Sequence, residues 1–398
     1  MIRTLRSLAC LLALGLGAGV AACETTPPPP APVAAYGPPP PPPLPTVGVS
    51  QGVLENAAVF QAYMQRASAI RGDFQQPQQV AERLQVGQAF QAGQIGRGVV
   101  AYGAVVALQD RTFVETIRSF GRDPAQRAEL VQRLLADPGY AASFEGSASA
   151  AGLVIAALQS QSQTLYDAGY RVKLSAYSTQ RLRPFTADVP GRPERLRLAQ
   201  AVALQPLAAD PMTVEPLRAA ALGTSPLGLA GNAVSPPYTP VVARALAIAA
   251  LSALGEAEGA NAQAIEALLS ERSAVYCLDL SKLTFFQCLA AAKPYYEDLF
   301  CLGEHVMIDT AQCVARSIGR PIATPATVSL TTATNLTPVS PGAVQAAAQG
   351  ATPAVASQAA PLATSAPVAL PGPPAPVAAP PVQQPTDPSQ PVAAGPRT

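Results

Sequence analysis

The chain has 398 residues, 49% of them hydrophobic, with 26 basic and 25 acidic side chains, one histidine and no tryptophan. Balanced charge without long basic runs excludes the electrostatic footprint of a nucleic-acid binder. A single histidine excludes most histidine-based metal sites, and 43 prolines crowded towards both ends exclude one continuous fold.

At the N-terminus Arg3 and Arg6 precede an uncharged run from Leu8 to Val20, rich in Leu, Ala and Gly. Ala21 and Ala22 are the small residues that a signal-peptide cleavage site needs. The run is too short and too glycine-rich for a bilayer span, which takes roughly 20 residues. Val20-Ala21-Ala22-Cys23 resembles the lipobox of bacterial lipoproteins, with Val20 in place of the commoner Leu. The resemblance covers residues 1–24. It implies that residues 1–22 are a signal peptide, cut just before Cys23, and that the Cys23 thiol carries diacylglycerol. Each buried methylene of such chains contributes about 0.8 kcal/mol to anchoring. Glu24 follows, where an Asp tends to retain such proteins at the inner membrane, so the implied address is the outer membrane, on its periplasmic side. The bland alternative is an ordinary secretory signal with a chance cysteine.

Residues 23–51 form the lipidated start and a tether. Twelve prolines fall between residues 24 and 50. Such runs prefer polyproline II and act as stiff spacers, here on the order of 80 Å at ~3.1 Å per residue.

Residues 52–204 read as a helical domain. Val53, Ala57, Phe60, Met64 and Ala67 recur at helical spacing, ending near Arg71-Gly72. Pro77 suits a first helical turn, and Val80, Leu84 and Phe90 continue the pattern. Gln is abundant on the opposite face. One helix is expected from Ile95 to Phe120, with Val99, Tyr102, Val106, Phe113 and Ile117 in register. Asp123-Pro124 is an N-cap followed by an N1 proline, and Leu130, Val131, Leu134 and Leu135 form the buried stripe behind it. The longest helix is expected from Ser147 to about Tyr177, with Val154, Leu158, Leu165, Gly169 and Val172 on one side. Tyr170 to Tyr177 is the only stretch that could alternate as a strand. Residues 183–193 read as a loop, and Glu194 to Leu204 as a short helix.

Residues 205–240 are punctuated by Pro and Gly and read as an irregular connection over the surface, where a cleft could form. Residues 241–320 resume the helices: Thr239-Pro240 starts one that runs to about Gly255, and Ala262 to Ser270 is the next.

The block from Tyr276 to Arg316 holds Cys277, Cys288, Cys301 and Cys313. In an oxidising compartment four cysteines suggest two bridges. Eleven residues of helix advance about 16 Å, whereas bridged Cα atoms lie within ~7 Å. Cys277 and Cys288 therefore cannot pair along one helix. A hairpin turning near Pro294 places Cys288 opposite Cys301 and Cys277 opposite Cys313. If the helices break early, local pairs Cys277–Cys288 and Cys301–Cys313 become possible. The twelve-residue step from Cys301 to Cys313 fits less well, and Gly303 is expected to break the second helix. The arrangement is similar to twin-cysteine helical hairpins, with wider spacing. A four-cysteine zinc site is the rival, but such sites favour pairs two to four residues apart.

Nothing marks a catalytic, cofactor-binding or metal site. Gly96-Arg97-Gly98 resembles part of a dinucleotide loop, yet helical sequence precedes it where a strand is required. It reads as helix packing or a kink. His305 reads as a cap or a packed side chain. Glu297-Asp298 and Glu304 read as a solvated hairpin face. Residues 321–398 are Ala/Pro-rich, lack aromatics and carry only Asp387 and Arg397 as charges, so they read as disordered.

The expected fold is all-α: a multi-helix antiparallel bundle with a disulfide-stapled C-terminal hairpin, flanked by disordered Pro/Ala-rich segments. The expected role is a membrane-anchored scaffold, structural or protein-binding, in the cell envelope. The membrane is bound through Cys23, an envelope protein is the partner, and nucleic acid is not. The alternative is an enzyme or ligand-binding module acting on envelope polymers.

Overall fold

The computed structural model describes residues 41–322. The expected signal peptide, Cys23, the tether up to residue 40 and the tail from residue 323 lie outside the described residues.

The described residues form fourteen α-helices and no β-sheet, with a single isolated bridge between Asp188 and Pro294. Side chains cap six of these helices at their N-termini. In α1 (Gln51–Ser68) the Ser50 hydroxyl accepts from Val53 N. In α2 (Pro77–Gln88) proline occupies the first turn. Phe90, expected to continue this helix, lies just beyond it, fully buried.

The helix expected from Ile95 to Phe120 is two helices, α3 (Ala92–Ala107) and α4 (Arg111–Phe120). Asp110 makes the break. Its carboxylate accepts from Phe113 N at 2.8 Å and from the Ser149 hydroxyl, so it caps α4 and ties it to α6 (Ser147–Thr179). Asp110→Ala is expected to cost about 1–2 kcal/mol in urea unfolding, and an unchanged midpoint would contradict the assignment.

Asp123 caps α5 (Pro124–Ala136) through Ala125 N and Gln126 N. Tyr170 to Tyr177 continues α6 as helix, and a short α7 (Arg183–Thr186) precedes α8 (Arg192–Ala203). The connection 205–240 is not wholly irregular. It contains α9 (Pro211–Ala221), capped by Asp210 through Met212 N.

Glutamines pin this connection. Gln94 exchanges two hydrogen bonds with the backbone of Leu207: Nε2 donates to its carbonyl at 2.9 Å, and Oε1 accepts from its N–H at 2.8 Å. Gln109 donates to Ala220 O and accepts from Leu227 N. These side chains thus read backbone amides in addition to facing water.

The core gathers on α10 (Pro240–Ala253), where every residue from Ala245 to Ala253 is buried. A helix apolar all round has to be covered on all sides. It packs on α3, α4, α5, α6 and α11 (Ala262–Leu269). Close approach in α3 depends on glycine: a Cβ on Gly98 would sit 2.6 Å from Phe60 Cβ and 2.7 Å from Asn56 O of α1. The glycines of this stretch therefore serve helix packing.

The C-terminal hairpin comprises α12 (Arg272–Ala291), a turn at Ala292–Pro294, α13 (Tyr295–Cys301), a π-helical stretch (Leu302–Ile308) and α14 (Asp309–Ser317). Glu271 caps α12 by accepting from Ser273 N and Ala274 N.

Candidate functional site

The four cysteines form two nested bridges around the Pro294 turn. Cys288 joins Cys301, with Cα atoms 5.7 Å apart, and Cys277 joins Cys313 at 5.6 Å. α12 runs unbroken through Cys277 and Cys288, which keeps those two apart. Gly303 does not break the second limb. Eleven residues make about three α-helical turns, so the twelve-residue step overshoots by one. Wider π turns absorb that extra residue and bring Cys301 and Cys313 onto one face.

Gly303 has a second constraint. A Cβ there would lie 2.6 Å from Lys173 N and 2.9 Å from Gly169 O. The π stretch thus lies directly on the backbone of α6. Gly303→Ala is expected to destabilise by about 1–3 kcal/mol through overpacking. Denaturant unfolding measures it, and a neutral substitution would contradict the close approach.

Two arginines of α8 clamp the end of α12. Arg192 donates to the carbonyls of Ala290, Ala291 and Ala292. Arg195 donates to Leu289 O and Ala292 O, and its Nη1 meets Asp298 Oδ1 at 2.5 Å. Cationic groups at a helix C-terminus satisfy carbonyls that have no partner within the helix. Asp298 is therefore not part of a solvated face. It is 1% exposed, and burial pushes its carboxyl up to about 7 against the pull of Arg195.

Beside this pair opens a cleft of about 340 Å³ between α2, α8, α12 and α13. Ala81, Leu84, Val189, Pro190, Leu198 and Leu289 supply apolar wall, and Gln88, Arg195 and Asp298 supply polar groups. It does not lie at the 205–240 connection. Gln88 is 1% exposed, and neither Nε2 nor Oε1 has a hydrogen-bond partner; Arg195 Nε is likewise buried without one. The backbone around Gln88 is fixed. Tyr63 Oη donates to Gly87 O at 3.2 Å, and Lys282 Nζ donates to Gln88 O at 3.2 Å. Lys282 also lies 4.1 Å from the Phe90 ring centroid, and burial lowers its ammonium to about 8.

Gln88 and Arg195 go unremarked in the sequence, and Asp298 reads there as part of a solvated face. For Gln88 a signal was present: Val80, Leu84 and Gln88 share one face at four-residue spacing, so a polar residue sits in a core position. Arg195 and Asp298 carry no such local signal.

The other groups are committed elsewhere. His305 Nδ1 lies 3.0 Å from Asp309 Oδ2. Glu304 pairs with Lys173 at 2.6 Å. A shallower concavity near Phe120 and Phe144 includes Glu129, which pairs with Arg133 at 3.1 Å. Among the described residues no group of three or more His, Cys, Asp or Glu side chains is placed to hold a metal.

No protein family, curated protein or solved structure matches the chain.

Proposed function

We propose that this protein is a lipid-anchored envelope scaffold, held at the outer membrane through Cys23, whose helical body presents a docking face to an envelope protein. The observation that carries the protein-binding part is an exposed apolar stripe on α12. Tyr276, Leu280 and Leu283 are 70%, 48% and 53% exposed at four- and three-residue spacing, so they share one face. Contiguous exposed apolar surface of this kind marks interaction sites. Two bridges within the same hairpin support an oxidising, extracytoplasmic location.

Two arms of one experiment test the reading. A photo-crosslinker at Leu283 in intact cells is expected to give one discrete protein adduct. Leu280→Asp is expected to abolish that adduct while leaving the helical circular dichroism unchanged. Cys23→Ser is expected to release the protein from the membrane fraction. Absence of a discrete adduct would remove the docking face, and unchanged membrane partitioning of Cys23→Ser would remove the anchor.

A second reading, a ligand-binding module, is favoured by the cleft at Gln88.

A further inference from the structure

We infer that the cleft between α2, α8 and α13 binds a peptide segment, taking an aliphatic side chain against its apolar wall and the adjoining backbone amide on the side chain of Gln88. The inference deepens the second reading above. It needs neither the anchor nor the α12 stripe, so its failure would leave both standing.

The argument starts from the cost of Gln88. A buried amide without partners forfeits its hydration and regains nothing. A leucine of similar length, on the face already carrying Val80 and Leu84, would avoid that loss. Gln88 therefore fits a site completed by another molecule better than a finished core.

The missing partner has to offer one donor and one acceptor. Oε1 accepts and Nε2 donates; neither has a partner and neither touches solvent, so the cleft wall has to yield for a ligand to reach them. A peptide group has that complement: an N–H and a C=O. This protein already uses the pairing internally. Gln94 takes both the N–H and the C=O of Leu207, and Gln109 takes one group each from Leu227 and Ala220. Gln88 is a third glutamine of the same kind, with its backbone held in place and its side chain unanswered.

Above about pH 7, where Asp298 is ionised, charge excludes the closest rival, a carboxylate. Arg195 is already neutralised by Asp298 at 2.5 Å. A second anion beside that pair would be buried without a countercharge. A neutral amide adds no charge to that pair. The size agrees. At about 30 Å³ per water-sized unit, 340 Å³ holds on the order of ten non-hydrogen atoms. That is about one aliphatic residue with its peptide group. Leu198, 43% exposed, adds apolar wall for such a residue.

The test uses the full mature chain and two probes that differ in one group. N-acetyl-leucine N-methylamide has the donor; N-acetyl-leucine methyl ester replaces that N–H by oxygen. Binding is followed by NMR through the Gln88 side-chain NH2 resonance in the wild type and, in both wild type and variant, through the backbone amide of Ala81 in the cleft wall, assigned by triple-resonance experiments. The amide is expected to shift both wild-type resonances saturably with Kd of about 1 mM, the scale for a dozen atoms in a small cleft. The ester is expected to bind at least about tenfold more weakly, the loss of one hydrogen bond that leaves its partner unpaired. Gln88→Leu is expected to remove that preference and to raise Tm, because it deletes an unsatisfied amide. Equal affinity for the two probes, or no saturable shift of the wild-type resonances, would overturn the inference. So would a preference that persists in Gln88→Leu. The wild-type titration decides the matter even if that variant does not fold.

Discussion

Removing the outer bridge by Cys277→Ala with Cys313→Ala is expected to cost the helical body about 3–4 kcal/mol. The bridge closes a loop of 36 residues, and loop-closure entropy of that length is worth about 4 kcal/mol in the unfolded chain. The inner bridge already restrains part of that loop, which lowers the figure. The inner bridge closes only 13 residues, so Cys288→Ala with Cys301→Ala is expected to cost about 3 kcal/mol. For a body of this size the outer change corresponds to a Tm lower by roughly 10 °C. Hydrogen exchange is expected to rise first in α12 and α14, because the outer bridge is what joins those helices covalently. Equal Tm for the wild type and the outer-bridge variant, both unreduced, would contradict a stabilising role.

Asp298→Leu is expected to have a comparable effect, about 3–5 kcal/mol, because it leaves the Arg195 guanidinium buried without its countercharge. The pH dependence separates charge from packing. An unfolded aspartate titrates near 4, whereas burial holds the folded Asp298 carboxyl up at about 7. Below about pH 4 both states are protonated, and above about pH 7 both are ionised. Between these values the folded state binds more protons. Stability contributed by this group is therefore fully present at the acid end and is lost as pH rises from about 4 to about 7. Asp298→Asn keeps the shape and removes the titration, so its stability relative to wild type is expected to improve steadily across that window. Parallel curves for the two proteins would show that Asp298 does not take up a proton on folding.

Local signals in the sequence carried much of the fold. Asp123-Pro124 and Thr239-Pro240 announced helix starts because cap and N1 proline act within three residues. Asp210-Pro211 is the same signature, and it starts α9. It was masked by the surrounding prolines and glycines, including Pro216 inside the helix. The break at Asp110 was hidden because Val106 and Phe113 keep helical spacing across it. The hairpin with its bridges was legible because the distance of each cysteine from Pro294 is a property of sequence alone. The π stretch was not: the twelve-residue step shows an extra residue, but whether wider turns absorb it or the helix breaks at Gly303 depends on the packing of Gly303 against Gly169 on another helix.

The cleft was the least legible part. Arg195 and Asp298 are 103 positions apart, and no pattern along the chain joins them. Gln88 could be seen only as a polar residue on a buried face. What makes it a candidate is the lack of any partner, and that depends on four helices meeting. Conversely, the address at Cys23 rests wholly on sequence.

The central claim is a chain acylated at Cys23 and exposed to an oxidising compartment, where its remaining four sulfurs pair two by two. Intact mass spectrometry of the protein extracted from membranes without reductant tests it most directly. The account predicts a polypeptide that begins at Cys23 with added acyl mass, lacks free thiols and, after non-reducing digestion, yields linked peptides joining Cys277 to Cys313 and Cys288 to Cys301. A polypeptide that begins at Met1, carries no acyl mass and has its thiols free would contradict it.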